Sequence, residues 1–308
     1  MKYRLRKWFF DINKTDEVYA YLFIAEVSFL FFRKHYLTFH IYDRDSGQMT
    51  ISKAGVSNKC CFTDTTFCIE GKYLKIEYRD NLLTLFAFFT DLQISIVFDN
   101  IIICPPGKNL TISRDGQKIC WFPFEGFIHA NGSITAGNKT FQSERLTAYC
   151  DFLFSDILPY KVPVKIMYWG RIAGADIRIA FSIVFRGDNR QYAICFVNTG
   201  VQLITFEDIR YERSGSDQDK EEECGYKIIA VKDQYKVQII IRRRKPVAQG
   251  SFIDAEKFRN RMLFSIINRI SKNPHGKKFI SSAQASFDSE SGHCQWSDMV
   301  CIDEYVLF

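Results

Sequence analysis

The residues that invite a chemical reading crowd into the middle of the chain. Trp121-Phe122-Pro123, Tyr149-Cys150-Asp151 and Tyr168-Trp169-Gly170-Arg171, followed by Asp176, bring aromatic rings and acids together in sequence. A carboxyl buried against aromatics is driven toward its protonated form, and an aromatic π face attracts a cation. The same residues also have plain structural readings. Tyr149 and Asp151 can be a hydrogen-bonded corner that ties the chain down, Trp169 a core residue, Arg171 and Asp176 a buried ion pair, and Glu304 a partner within the last strand. Other chemistry is not signalled. There is no G-x-x-x-x-G-K-[ST], H-E-x-x-H, G-x-S-x-G or G-x-G-x-x-G, so nucleotide-binding, zinc-protease and serine-hydrolase readings start low. The ten Cys (60, 61, 68, 104, 120, 150, 195, 224, 294, 301) form no C-x-x-C pair and the five His are scattered. No metal site and no cofactor is expected.

The elements that must position these residues read as strands. Of 308 residues, 47% are hydrophobic and 16% aromatic, with 29 Phe and 15 Tyr; such residues fit a pleated, half-buried surface. Tyr73–Tyr78 alternates cleanly, Arg79-Asp80-Asn81 turns the chain, and Leu82–Phe89 and Leu92–Phe98 follow, the pattern of hairpins. Segments every 8–12 residues suit a sandwich or barrel rather than βαβ units. The stretch 142–163, with turn residues and two prolines, breaks the pattern. After it the strand rhythm restarts at Val164–Trp169, Asp176–Phe185, Gln191–Asn198, Gln202–Tyr211, Tyr226–Val231 and Tyr235–Arg242, and the last strands are Phe279–Phe287 and Val300–Phe308. Asp254 and the apolar residues from Phe258 to Ile270 predict one amphipathic helix over 254–271. The expected fold is all-β: two tandem antiparallel lipocalin-like barrels or half-barrels, 1–145 and 146–308, with that helix near the C-terminus. Eight-stranded barrels can hold one small ligand.

Several segments carry a family likeness. Asp156 to Pro159 (DILP), Met167 to Ile172 (MYWGRI) and Asp176 to Ile179 (DIRI) follow the Tyr149-x-Asp151 pair, with Asn273-Pro274 and the closing Glu304 to Phe308 (EYVLF) beyond. This resembles the two-lipocalin-domain family of carotenoid 1,2-hydratase (hydroxyneurosporene synthase), whose architecture is shared by tocopherol cyclases and fungal lipocalin-like Diels–Alderases. The motifs span about 120–308; the first 120 residues fit in strand rhythm alone. The resemblance implies a greasy pocket, at a barrel or the domain junction, for a long isoprenoid or polyketide tail. It also implies a lyase-type reaction in which an acid protonates an alkene and water captures the cation. Asp151 would be that acid and Tyr149 would orient it. Trp121 and Tyr168 would stabilise the cation, and Tyr168, Trp169 and Arg171 would contact substrate. The chain departs from the pattern at Ile119, where the family's hydratases carry a His two residues before the tryptophan; His129 is out of register. That departure favours a non-catalytic lipid carrier or a different cyclisation, whereas the Tyr-x-Asp pair favours catalysis.

Charge and compartment complete the expectation. The net charge of +6 comes from 41 basic and 35 acidic residues interspersed along the chain, without the concentrated basic face of a nucleic-acid binder. The run Arg242-Arg243-Arg244-Lys245 reads as a solvated hairpin end, with peripheral membrane contact its alternative. The N-terminal stretch has no apolar h-region and no apolar run reaches ~18 residues, so the expected compartment is the cytoplasm and the thiols are expected reduced. The four N-x-S/T sequons are then chance matches. The expected partner is a hydrophobic small molecule, not nucleic acid; oligomeric state is unread.

Overall fold

A computed structural model of the chain describes residues 3–14, 17–29, 32–55, 59–62, 66–71, 74–89, 92–99, 101, 109–123, 127–188, 190–214, 225–243, 246–251, 275–290 and 292–308. They form two compact units, Met1–Ile157 and Leu158–Phe308, both built from antiparallel strands. The expected boundary at 145/146 is therefore displaced. One long strand, Lys139–Ser155, runs through it, and the break comes only at the polar, proline-bearing turn where Pro159–Lys161 makes a short 3-10 helix. The expected helix over 254–271 lies outside the described residues.

The first unit contains β1 (Arg4–Lys14), β2 (Val18–Phe29), β3 (Phe32–Asp43), β4 (Gln48–Gly55), β5 (Lys59–Phe62), β6 (Phe67–Gly71), β7 (Leu74–Arg79), β8 (Leu82–Phe89), β9 (Leu92–Asp99), β10 (Leu110–Arg114), β11 (Gln117–Pro123), β12 (His129–Ala136) and β13 (Lys139–Ser155). Their order across the sheet is β4-β3-β2-β1-β13-β12-β9-β8-β7-β6-β5, and the β10–β11 hairpin joins β13. β1 was not foreseen, nor was the continuation of β3 through Arg33-Lys34-His35. Alternation builds the core. Leu74, Ile76 and Tyr78 of β7, Leu83, Leu85 and Ala87 of β8, and Ile94, Ile96 and Phe98 of β9 all turn to one side, where they meet Trp8, Phe10, Leu22, Ile24, Cys150 and Phe152. The β7–β8 turn closes tightly because Asp80 and Asn81 both accept positive φ, 52° and 65°, the requirement of a two-residue hairpin turn.

The second unit contains β14 (Val164–Ala173), β15 (Arg178–Arg186), β16 (Gln191–Asn198), β17 (Leu203–Phe206), β18 (Asp208–Arg213), β19 (Tyr226–Lys232), β20 (Tyr235–Arg242), β21 (Pro246–Ser251), β22 (His275–Ser289) and β23 (Gly292–Leu307). The order is β17-β16-β15-β14-β23-β22-β20-β19-β18, with β21 on β22. Of the two sheets, one is a half-barrel and the other a nearly closed barrel. The second unit shows the closure: its end strands come together, and Gln191 Nε2 on β16 donates to the Ile209 carbonyl on β18 at 2.8 Å. Its interior is filled by its own side chains. Tyr168, Phe181, Phe206, Tyr226 and Phe279 are all fully buried there.

Candidate active site

Tyr149 and Asp151 are positioned by β13, which serves three neighbours. Along one edge it pairs with β1, Asp11 opposite Tyr149 and Phe9 opposite Asp151. Along the other it takes β12 and then β11, with Pro123 opposite Asp151 and Trp121 opposite Leu153. Ala148, Cys150 and Phe152 belong to the core, so the alternate residues Tyr149, Asp151 and Leu153 project from the other face. Register puts Trp121, Phe9 and Asp11 on that face too. The three residues expected to be catalytic, Trp121, Tyr149 and Asp151, thus share one side of one sheet, and all three are buried.

The face is lined with rings and acids. Tyr149 Oη donates to Asp151 Oδ2 at 3.1 Å, and Tyr19 Oη donates to Asp11 Oδ2 at 3.4 Å. The Phe9 ring lies 6.2 Å from Tyr149 and 5.2 Å from Phe23. Tyr21 stacks on His40 at 4.3 Å, and the Lys7 ammonium sits 4.0 Å from the centre of the Phe23 ring. Asp11 is 1% exposed and was not singled out from the sequence. Its one signal was being the lone acid in the apolar run Trp8-Phe9-Phe10-Asp11-Ile12; what places it beside Tyr149 is β1–β13 pairing, which sequence does not display. Burial first, then Asp151 and its hydrogen bond, hold the Tyr149 phenol well above the ordinary tyrosine range. The phenol therefore stays protonated and acts as a donor to the carboxyl.

The second unit separates residues that sequence reasoning had grouped. In β14 successive side chains alternate, so Tyr168 points into the barrel while Trp169 and Arg171 project from the opposite face. Gly170 points inward, where an added Cβ would overlap the ring of Phe181. Tyr168, Trp169 and Arg171 therefore do not form one contact surface. On the Trp169 face, Glu304 accepts from Lys278 Nζ at 3.1 Å across β22–β23, and that ammonium lies 4.9 Å from the Trp169 ring. Asp176 is exposed and accepts the Trp296 indole N–H at 2.9 Å, so it is not the buried half of an ion pair with Arg171.

Inside the barrel, Tyr168 keeps company that the sequence concealed. The run 242–245 is not simply a solvated hairpin end. Arg242 is exposed, but Arg243 continues the inward alternation of Val237, Ile239 and Ile241, and its side chain is fully buried. Its Nε donates to Asp303 Oδ2 at 2.8 Å. Asp303 also accepts from Ser281 Oγ at 2.6 Å and from Tyr226 Oη at 3.2 Å. The guanidinium packs 4.5 Å from the Phe279 ring and 5.1 Å from Tyr226. Burial alone would lower the Arg243 pKa, but Asp303 outweighs it and keeps the guanidinium charged. This is a closed ion pair in the barrel interior, its carboxylate accepting from Arg243, Ser281 and Tyr226. Among the described residues, no cluster of three or more His, Cys, Asp and Glu could hold a metal ion.

No protein-family model matches the sequence, and no curated protein matches it. Solved structures do. A Nitrosomonas europaea protein provisionally called AttH (NE1406) superposes with TM-score 0.66 over 99% of this chain and 92% of its own, at 8% identity. CghA, solved with Sch210972, gives 0.70 over 99% and 89%, at 9% identity. Kievitone hydratase from Nectria haematococca gives 0.57 over 98% and 88%, at 9% identity. At these identities the likeness is one of fold. It defines the class of the chain: tandem lipocalin-like domains.

Proposed function

We propose that the protein is an acid catalyst acting on an apolar, unsaturated small molecule of isoprenoid or polyketide type, which it hydrates or cyclises. One observation carries the reading: Asp151 is buried in an aromatic layer that also holds Asp11, and Tyr149 orients it by a hydrogen bond of 3.1 Å. Alkene protonation requires a carboxyl that carries its proton near neutral pH. Apolar surroundings and a neighbouring carboxyl both favour that state. Asp151 delivers the proton, Tyr149 fixes its orientation, and Phe9 and Trp121 offer π faces to the cation that forms. The names of two structural neighbours lend support: one is a hydratase, and the other, CghA, was solved with Sch210972.

The test is Asp151→Asn, which keeps size and most hydrogen bonding but removes the transferable proton. Turnover on a panel of acyclic isoprenoid and polyketide alkenes should fall by ~10²–10⁴-fold, the usual contribution of a general acid, while ligand binding stays within a few fold. Full turnover in a folded Asp151→Asn protein would remove the assignment. Binding without turnover in both proteins would make the chain a carrier.

A further inference from the structure

We infer that Cys61 and Cys68 are a redox-active thiol pair, closed to a cross-strand disulfide by exchange with a low-molecular-weight disulfide of the glutathione type, and that the bond latches one edge of the first unit's sheet. The inference is independent of the acid reading above.

The placement follows from register. In the β5–β6 hairpin Cys61 lies directly opposite Cys68. Ile69, the next residue of β6, is in the core, so Cys68 turns to the outer face of the sheet. Residues directly opposite each other share a face, which puts Cys61 beside it. Cys61 is exposed, Cys68 is half-buried, and both are free thiols. Opposed residues of an antiparallel pair have Cα atoms about 4.5 or 5.5 Å apart. Both spacings fall inside the ~4.4–6.8 Å that a disulfide spans. Among the described residues, no other two cysteines stand opposite each other in the sheets.

The two thiols suit successive roles. Exposed Cys61 meets the incoming disulfide first. Its thiolate attacks one sulfur, the S–S bond of the reagent breaks, and one glutathione thiolate leaves. Cys68 then gives its proton to solvent and attacks Cys61 Sγ, which expels the second glutathione. The protein thiols lose two protons and two electrons, and the reagent is reduced to two thiols. Burial first, then Glu77 and Glu70, raise the Cys68 pKa, with Lys75 pulling the other way. A thiol that holds its proton is a slow first attacker but serves as the second, where its target is already alongside. The bond has a place to act. β5 is four residues long and ends the strand order of its sheet. Short edge strands open most readily. A covalent link to β6, which Ile69 anchors in the core, holds β5 in place when oxidised and releases it when reduced.

The chain carries its own control. Cys294 is also exposed, but Phe287 stands opposite it, so it can only take up glutathione. The test treats the full, reduced chain with oxidised glutathione, blocks the remaining thiols with N-ethylmaleimide and reads tryptic peptides by tandem mass spectrometry. The peptide Cys60–Lys72 contains Cys60, Cys61 and Cys68. It should lose two hydrogens, keep one blocked thiol at Cys60 and carry no glutathione. Its closed fraction should exceed the glutathione adduct at Cys294 by about tenfold, because the second attack is intramolecular. Closure should speed up as pH rises, since Cys68 must lose its proton. Cys60→Ser should close like wild type, and Cys61→Ser should not close. A stable glutathione adduct at Cys61 or Cys68 in the wild-type protein would overturn the inference, as would a disulfide that uses Cys60. Equal closure rates in the native and guanidinium-unfolded chain would also overturn it, because the hairpin would then not be what pairs the thiols. Amide hydrogen exchange over 59–62 should slow in the oxidised protein; unchanged exchange after full closure removes the latch.

Discussion

Each unit buries a cysteine near its acids, and the two thiols report different fields. Cys150, between Tyr149 and Asp151, has its pKa raised by burial and then by Asp151 and Asp11, with no cation among the causes. Cys301, two residues before Asp303, is raised by burial and by Asp303, but Arg171 and Arg243 pull the other way. Both regions contain tyrosine, aspartate and stacked rings, so composition does not distinguish them. The difference is the guanidinium. Burial leaves the Asp303 pKa raised and outweighs Arg243, Ser281 and Tyr226, which pull the carboxyl down. Around Cys150 two acids share an aromatic layer, each accepting a tyrosine hydroxyl. The comparison teaches that an Asp–Tyr pair is read through the groups that neighbouring strands bring to it, a guanidinium in one unit and a layer of rings in the other.

The sharpest way to break this comparison is through stability. Removing one partner of a buried ion pair typically costs ~3–5 kcal/mol, because the other charge stays buried and unpaired. Arg243→Met should therefore lose about that much in guanidinium denaturation of the second unit. Adding Asp303→Leu to Arg243→Met should recover most of the loss, since apolar replacement of a whole buried pair is often neutral. Asp151→Asn, by contrast, should cost only about 1 kcal/mol, the scale of one altered hydrogen bond, while abolishing turnover. Equal losses for Arg243→Met and Asp151→Asn would mean that both carboxyls are structural.

A smaller effect tests whether the Tyr168-Trp169-Gly170-Arg171 segment is packing rather than substrate contact. Gly170 faces Phe181 inside the barrel, and a methyl group there has no room. Gly170→Ala should cost ~1–3 kcal/mol, the usual penalty of overpacking, and Phe181→Leu in the same chain should recover part of it. A thermal melt of the single and double variants decides. No recovery would place the strain in the backbone instead.

How far the sequence was legible follows from what each feature depends on. Strand rhythm is local, and β7, β8 and β9 fell where alternation placed them. Tyr149 and Asp151 are two apart on one strand, so their pairing was also within local reach. Asp11 with Tyr149, and Arg243 with Asp303, are each brought together by pairing between strands distant in sequence, and no local pattern displays that. The structure divides Tyr168 from Trp169 and Arg171, which the sequence reading had grouped, for a simpler reason. That grouping followed a motif along the chain and disregarded the period of two, which sends neighbours to opposite faces. Arg243 was missed the same way: read as part of a charged run, it is the next inward step after Ile241.

The smallest effect concerns a third acid, and it tests the rule drawn from the first two. Glu26 is 2% exposed and stands opposite Arg6 on β1 and His35 on β3. Arg6 Nη1 lies 3.2 Å away and His35 Nε2 3.0 Å, and Arg33 Nε donates at 2.6 Å. Burial by itself would raise the Glu26 pKa, but hydrogen bonds from Arg33 and His35 and the charges of Arg33 and Arg6 carry it below the ordinary carboxyl value. A carboxyl whose folded pKa is depressed contributes stability above its unfolded pKa and loses it as pH falls through the folded one. Glu26→Gln should therefore melt lower than wild type at pH 7, by the equivalent of about 1 kcal/mol or less because Arg33 is half-exposed and screened. That gap should close once the pH drops below the folded pKa, since the protonated carboxyl of the wild type and the amide of the variant are then both neutral. A gap that persists unchanged into acid would mean that Glu26 acts by shape rather than charge.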